Sequence, residues 1–334
     1  MSRLSAALLA TAGVLALSAC GDANQAVTGP ANMQPSASLV SADGIVRHIM
    51  LTRAQAGFAR GAHTKSSSTG IFYHGGPVLQ SGTNVAAIYW AGSTIYNGGP
   101  TPGAAGSGSS DGSLVGAFLR SLGGSPYFNI NHTYTDGSGN LIANSVTYTQ
   151  FWANDSYNVP SNGQSVSDAQ MTAMLQYAFD NGKLTYDPST LYAIFTAGTV
   201  NLGGGFGTQY CAYHTHATVT ISGQSRTVLY AAMPYDYAYP SACTAGYASP
   251  NNDPAADAEV NTLAHETEET TTDMLGTAWY DRRGYENADK CAWKWGTTYT
   301  TANGGTANMT IGGKDYLVQQ NWVNAGSGGC LLSY

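Results

Sequence analysis

Apolar and polar positions along this chain switch between two periods. Residues 84–90 and 191–197 are short, nearly continuous apolar runs, the pattern of strands covered on both faces. Residues 146–152 read as a further strand. Between these runs the period lengthens to that of a helix. In residues 111–122, Leu114, Val115, Phe118, Leu119 and Leu122 share one side. From Ser167 to Asn181, Met171, Met174, Leu175 and Ala178 face inward and Gly182 supplies the stop. Residues 210–221 and 227–233 flank Gly223 as hairpin partners, and residues 316–323 give a last strand. Strands and helices alternate, then give way to hairpins. That order predicts an α/β (α+β) fold, a single layered domain built on a mixed sheet with hairpins.

The amino-terminal pattern differs. Arg3 precedes an apolar, alanine-rich run over residues 4–17 that is short for a membrane span, and Leu17-Ser18-Ala19-Cys20 follows. This ending resembles the lipobox of bacterial lipoproteins. Residues 1–19 are then a lipoprotein signal peptide, and Cys20 is the acylated first residue of the mature chain. An ordinary secretory signal cut near Ala19 is the alternative. Either implies export, and acylation implies a lipid anchor in a membrane at the bacterial cell envelope or cell surface. Residues 20–69, rich in small and polar types, read as a flexible tether with at most one short helix in 45–58. Residues 70–334 form the folded domain.

Export decides how the cysteines are read. Apart from Cys20 they are Cys211, Cys243, Cys291 and Cys330, an even set in an oxidising compartment. Three pairings exist; Cys211–Cys243 and Cys291–Cys330 are expected, because each closes a moderate loop within its own region. A four-cysteine metal site would call for a close Cys-x-x-Cys pair, and the chain has none. Without Arg3 the chain carries 12 basic against 20 acidic side chains. With no basic patch to neutralise phosphates, nucleic acid is excluded as a partner.

Charge is scarce, at 10% of residues, yet every glutamate lies between Glu259 and Glu286. Three of them sit in Ala264-His265-Glu266-Thr267-Glu268-Glu269-Thr270. A helix there, capped by Asp253 or Asp257, stacks His265 and Glu269 on one face with Glu266 at its edge. This is the zincin arrangement, with glutamate in place of the second histidine. By that logic His265 and Glu269 bind zinc, Glu266 is the general base, and Glu286 is the third ligand, with Asp289 as a further candidate. A solvated acidic helix is the plain alternative. A calcium site using Asp273, Asp281, Glu286 and Asp289 is a second one. His214 and His216 alternate on a presumed strand, and His214 is a candidate additional ligand. His74 and Tyr235 read as structural. No Gly-x-Ser-x-Gly elbow and no phosphate loop are present.

Ala264-His265-Glu266-x-x-Glu269, then Ala278-Trp279-Tyr280, then Glu286-x-Ala288-Asp289-x-Cys291 together resemble the phosphate-induced protein 1, or Exordium-like, family. Tyr73-His74-x-Gly76-x-Val78, Cys211-x-Tyr213-His214, and Leu317-Val318-Gln319 through Trp322 to Cys330 resemble its other landmarks in order. The likeness runs from about residue 71 onward. It implies a secreted protein related to plant proteins of cell-wall growth, with no reaction attached. Glu268 and Thr270 to Thr272 depart from that pattern toward greater polarity. Two functions are therefore expected. One is a zinc-dependent, peptidase-like hydrolase acting on peptide. The other is a non-enzymatic surface protein with a structural metal, whose tyrosines bind cell-envelope polysaccharide.

Overall fold

The apolar runs become the centre of an eight-stranded sheet. The computed structural model of the chain describes residues 37–61 and 70–334. The expected signal peptide, Cys20, and residues 20–36 and 62–69 of the expected tether lie outside those residues. Sheet strands are β1 (Ser38–Val40), β2 (Val46–Leu51), β4 (Thr83–Trp90), β5 (Ala105–Ser107), β6 (Val146–Asn154), β7 (Thr190–Thr196), β8 (Tyr210–Ile221) and β9 (Gln224–Met233). The short β3 (Phe72–Tyr73) pairs instead with β10 (Trp279–Tyr280). The order across the large sheet is β1-β2-β8-β9-β7-β4-β6-β5. β9, β7, β4 and β6 run parallel, and antiparallel strands flank them on both sides. The result is a mixed α/β single domain.

Alternate residues of the parallel strands feed two cores. Ala86, Ile88 and Trp90 of β4 join Met171, Met174 and Leu175 of α3 (Asp168–Asp180) on one face. Val85, Ala87 and Tyr89 join α2 (Leu114–Leu122) and α5 (Pro254–Thr272) on the other. Among the described residues the other α-helices are α1 (Arg53–Gly61) and the single turn α4 (Pro240–Cys243). Each large apolar side chain so buried contributes roughly 1.5–3 kcal/mol. Ser167 closes a capping box with Gln170 at the head of α3, as its sequence position suggests. The β8–β9 hairpin turns at Ser222 and Gly223, both at positive φ, which a two-residue turn of matching twist requires. The expected disulfides form: Cys211–Cys243 ties β8 to α4, and Cys291–Cys330 ties a loop turn to the carboxy-terminal hairpin.

Two sequence expectations need correction. Residues 37–61 are not tether: β1 and β2 extend the sheet, and β2 pairs with β8. Its small and polar composition made the stretch read as tether. Pairing sends Arg47 to one buried face and lets Ile49, Met50 and Leu51 join the core. The single strand expected over 316–323 is also interrupted. Small hairpins β11 (Tyr299–Thr300) with β12 (Thr306–Ala307), β13 (Met309–Ile311) with β14 (Lys314–Tyr316), and β15 (Asn321–Val323) with β16 (Gly329–Leu331) build this region. The segment between β14 and β15 leaves extended pairing and turns Gln319 toward α5.

Candidate metal centre

Helix α5 is polar in sequence yet buried almost throughout; His265, Glu266, Glu268 and Glu269 are all 0% exposed. Asp253 caps it by accepting from Ala256 N, so of the two candidate caps Asp253 serves. Its threonines have low helix propensity. Packing holds them, and their hydroxyls donate back into the helix: Thr267 to Leu263 O at 2.7 Å and Thr271 to Thr267 O at 2.6 Å. All five glutamates of the chain are buried, and three of them, Glu266, Glu269 and Glu286, gather around one cluster of histidines. Glutamate is almost never fully buried unless paired.

His265 Nε2 stands 3.0 Å from Glu269 Oε1 and 3.7 Å from Asp289 Oδ1. Asp289 N donates to Glu269 Oε1 at 2.9 Å, which locks the loop onto the helix. The expected pair is thus together, but the loop carboxylate beside it is Asp289. Glu286 instead meets the sheet: its Oε2 is 3.1 Å from His214 Nε2 and 3.1 Å from His48 Nδ1. His214 Nε2 also lies 3.5 Å from Glu269 Oε2. His48 and His214 are cross-strand partners with stacked rings, centroids 5.1 Å apart. Gly276, at positive φ, covers the His48 ring so closely that a Cβ there would meet Nε2 at 2.1 Å. Glu266 completes the group with His214 and Glu269.

Burial pushes Glu266 up to about 8, since its two oxygens have no hydrogen-bond partner. Burial acts the same way on Glu269, but the imidazoles of His265 and His214 overcome it and hold that carboxyl down to about 2. Asp289 is raised well above its usual range by burial and by Glu269 and Glu286. The two histidines are themselves raised: burial opposes their charge, and the carboxylates outweigh it.

These residues fit a metal ion. Glu266 Oε1 and Oε2, Glu269 Oε2, Glu286 Oε1, Asp289 Oδ1 and His265 Nε2 are buried without hydrogen-bond partners. Two ligands about 2.1 Å from one tetrahedral ion stand about 3.4 Å apart, close to the separations found between imidazole and carboxylate atoms here. Mixed imidazole and carboxylate donors suit zinc or another first-row transition ion better than calcium. The calcium set expected as an alternative does not assemble, because Asp281 is taken up by Lys290 and Arg283. Asp273 Oδ1 accepts from Thr277 N and Ala278 N. Gln319 sets a condition. Its amide nitrogen lies 2.9 Å from His265 Nδ1 and donates to Ala288 O at 3.0 Å. Metal at Nε2 calls for a proton on Nδ1, hence for the Gln319 amide turned over.

Other groups are structural. Glu268 accepts from Asn131 at 2.6 Å and takes part in none of the candidate metal groups. His74 stacks on Tyr280, centroids 3.7 Å apart. His216, on the same face as His214, is only partly buried, and burial lowers its pKa. His48 and Gln319 went unread in the sequence as site residues; the alternation of residues 46–51 was the available signal for His48. A cavity of about 200 Å³ adjoins the cluster, lined by Leu51, Tyr285, Lys290, Trp322 and Asp289. Asp289 faces both.

The fold and the cluster define an α/β domain with a buried histidine–carboxylate centre able to hold metal. The chain belongs to the phosphate-induced protein 1 family, whose conserved region matches residues 121–321. That span includes α5, His214, Glu286, Asp289 and Gln319, and leaves His48 outside. No curated protein and no solved structure matches the chain.

Proposed function

We propose that this chain is an exported metal-dependent hydrolase of peptidase type, with His265, Glu269 and Asp289 holding the metal and Glu266 as general base. The observation that carries this reading is the buried Glu266 carboxylate, without hydrogen-bond partners and beside three groups suited to one ion. A bound zinc ion would supply Lewis acidity toward a carbonyl and toward water. The chain's own groups do the rest. Glu269 and Gln319 orient the His265 ring, Asp289 joins the cluster to the cavity, and Glu266 accepts the proton of water. The cavity, with the Trp322 ring and Lys290 in its wall, suits a peptide side chain. Acylation at Cys20 would hold the enzyme at the cell envelope.

Zinc content of the purified chain, with a peptide-hydrolysis screen, tests this. Glu266→Gln is expected to keep its metal and lose roughly 10²–10⁴-fold in kcat. A folded protein without metal, or undiminished turnover in that variant, would overturn the proposal. A second reading is favoured by the 0% exposure of His265 and Glu269. It is a closed structural centre in a non-enzymatic protein that binds envelope polysaccharide. A closed centre exchanges metal slowly and unfolds when stripped; a catalytic one exchanges and stays folded.

A further inference from the structure

The ligand atoms do not form one set. His265 Nε2, Glu269 Oε1 and Asp289 Oδ1 converge on one side of Glu269. His48 Nδ1, His214 Nε2 and Glu286 Oε2 converge on the other. Glu269 stands between the two sets and offers a different oxygen to each: Oε1 at 3.0 Å from His265 and Oε2 at 3.5 Å from His214. From these separations we infer that the centre holds two divalent transition-metal ions, with Glu269 as the bridging carboxylate.

This inference rests on the metal-centre reading and deepens it. Three observations carry it. First, a bridging carboxylate needs both oxygens aimed at separate ligand sets, and two-metal sites place their ions about 3.5–4 Å apart. Second, Glu269 Oε2, on the side that a single ion at His265 would leave empty, is buried without a hydrogen-bond partner, and so is the second oxygen of Glu286. Third, the charge calls for more than one ion. Glu266, Glu269, Glu286 and Asp289, with Asp273 close to Glu286, carry up to five negative charges when ionised, against neutral imidazoles. Two divalent ions cancel most of that charge, and one leaves most of it uncompensated. In a low-dielectric interior an uncompensated charge is expensive. The first ion takes His265, Glu269 and Asp289. The second takes His214, His48 and Glu286 with the other oxygen of Glu269. Glu266, beside both, is left to act on a water between them.

Metal stoichiometry of the full chain, loaded with Zn²⁺ alone and desalted, tests the inference. Two ions per chain are expected, falling to one in His48→Ala, whose side chain is 15% exposed and sits at the edge of the cluster. Circular dichroism verifies that the variant is folded. If it does not fold, the wild type loaded with Mn²⁺ decides: an exchange-coupled multiline electron paramagnetic resonance signal supports the pair, and an isolated six-line signal overturns it. One ion in the wild type overturns the bridged centre but leaves the hydrolase proposal standing. No metal in the folded chain overturns both. Two ions retained in folded His48→Ala overturn the assignment of the second site.

Discussion

Arg47 and His48 are neighbours on β2, and the pleat sends them to opposite faces of the sheet. Tyr213 and His214 on β8 do the same. On the α3 face Arg47 and Tyr213 converge on Asp168. Oδ2 of Asp168 accepts from Arg47 Nε and Nη2 at 2.9 and 2.6 Å, and Oδ1 accepts from Tyr213 and Tyr230 at 2.9 and 2.6 Å. Every lone pair direction is used, so the buried acid is silent. On the α5 face His48 and His214 meet Glu286, and several carboxylate oxygens around them have no donor. Asp168 on one side and His214 and Glu286 on the other are equally buried. Hydrogen-bond satisfaction is what separates a structural charge from a site awaiting a ligand.

The sharpest way to break this comparison is to remove a partner on the quiet side. Asp168→Ala strands the Arg47 guanidinium inside the core and is expected to cost about 3–5 kcal/mol, read as denaturant midpoint. An unchanged midpoint would mean that the α3 ion pair is incidental. The opposite test strips the α5 side. With metal at 100 times its Kd, chelation is expected to lower stability by about 2.7 kcal/mol and to do so equally in proteins altered only on the α3 face. A melting curve indifferent to chelator would place both faces in the structural class.

A smaller effect sharpens the boundary of the cluster along α5. Glu259 faces Asp236 and Tyr96 rather than the histidines. Burial pushes it up to about 8. A raised carboxyl is protonated in the folded state, so its contribution is full below the unfolded value and is lost as pH climbs through the folded one. Between pH 6 and pH 8 this amounts to roughly 2 kcal/mol of lost stability. Glu259→Gln is expected to flatten that decline, monitored by melting temperature across the range. An equally steep decline in the variant would assign the titration to Asp236.

Much of the scaffold is legible in the sequence. Residues 84–90 and 191–197 are strands, and α3 begins at its Ser167 cap. The two disulfides close the loops that spacing suggested. His265, Glu266 and Glu269 were legible for the same reason: one helical turn brings them together whatever surrounds it. The choice of loop carboxylate was not. Glu286 and Asp289 are three residues apart, and the hydrogen bond from Asp289 N to Glu269 decides which of them reaches His265. His48 was further out of reach, since only the β2–β8 register brings it beside His214, 166 positions along the chain.

The sequence by itself determined the local periods, the caps, the cysteine pairs and the density of carboxylates on one helix, because each depends on neighbours within a turn or a short loop. Tertiary structure alone decided that this polar helix is buried and that an apparent tether completes the sheet. It also decided that Glu269 faces one histidine with each oxygen. Those outcomes depend on which strands pair and in what register, and no local preference encodes a contact between residues so far apart.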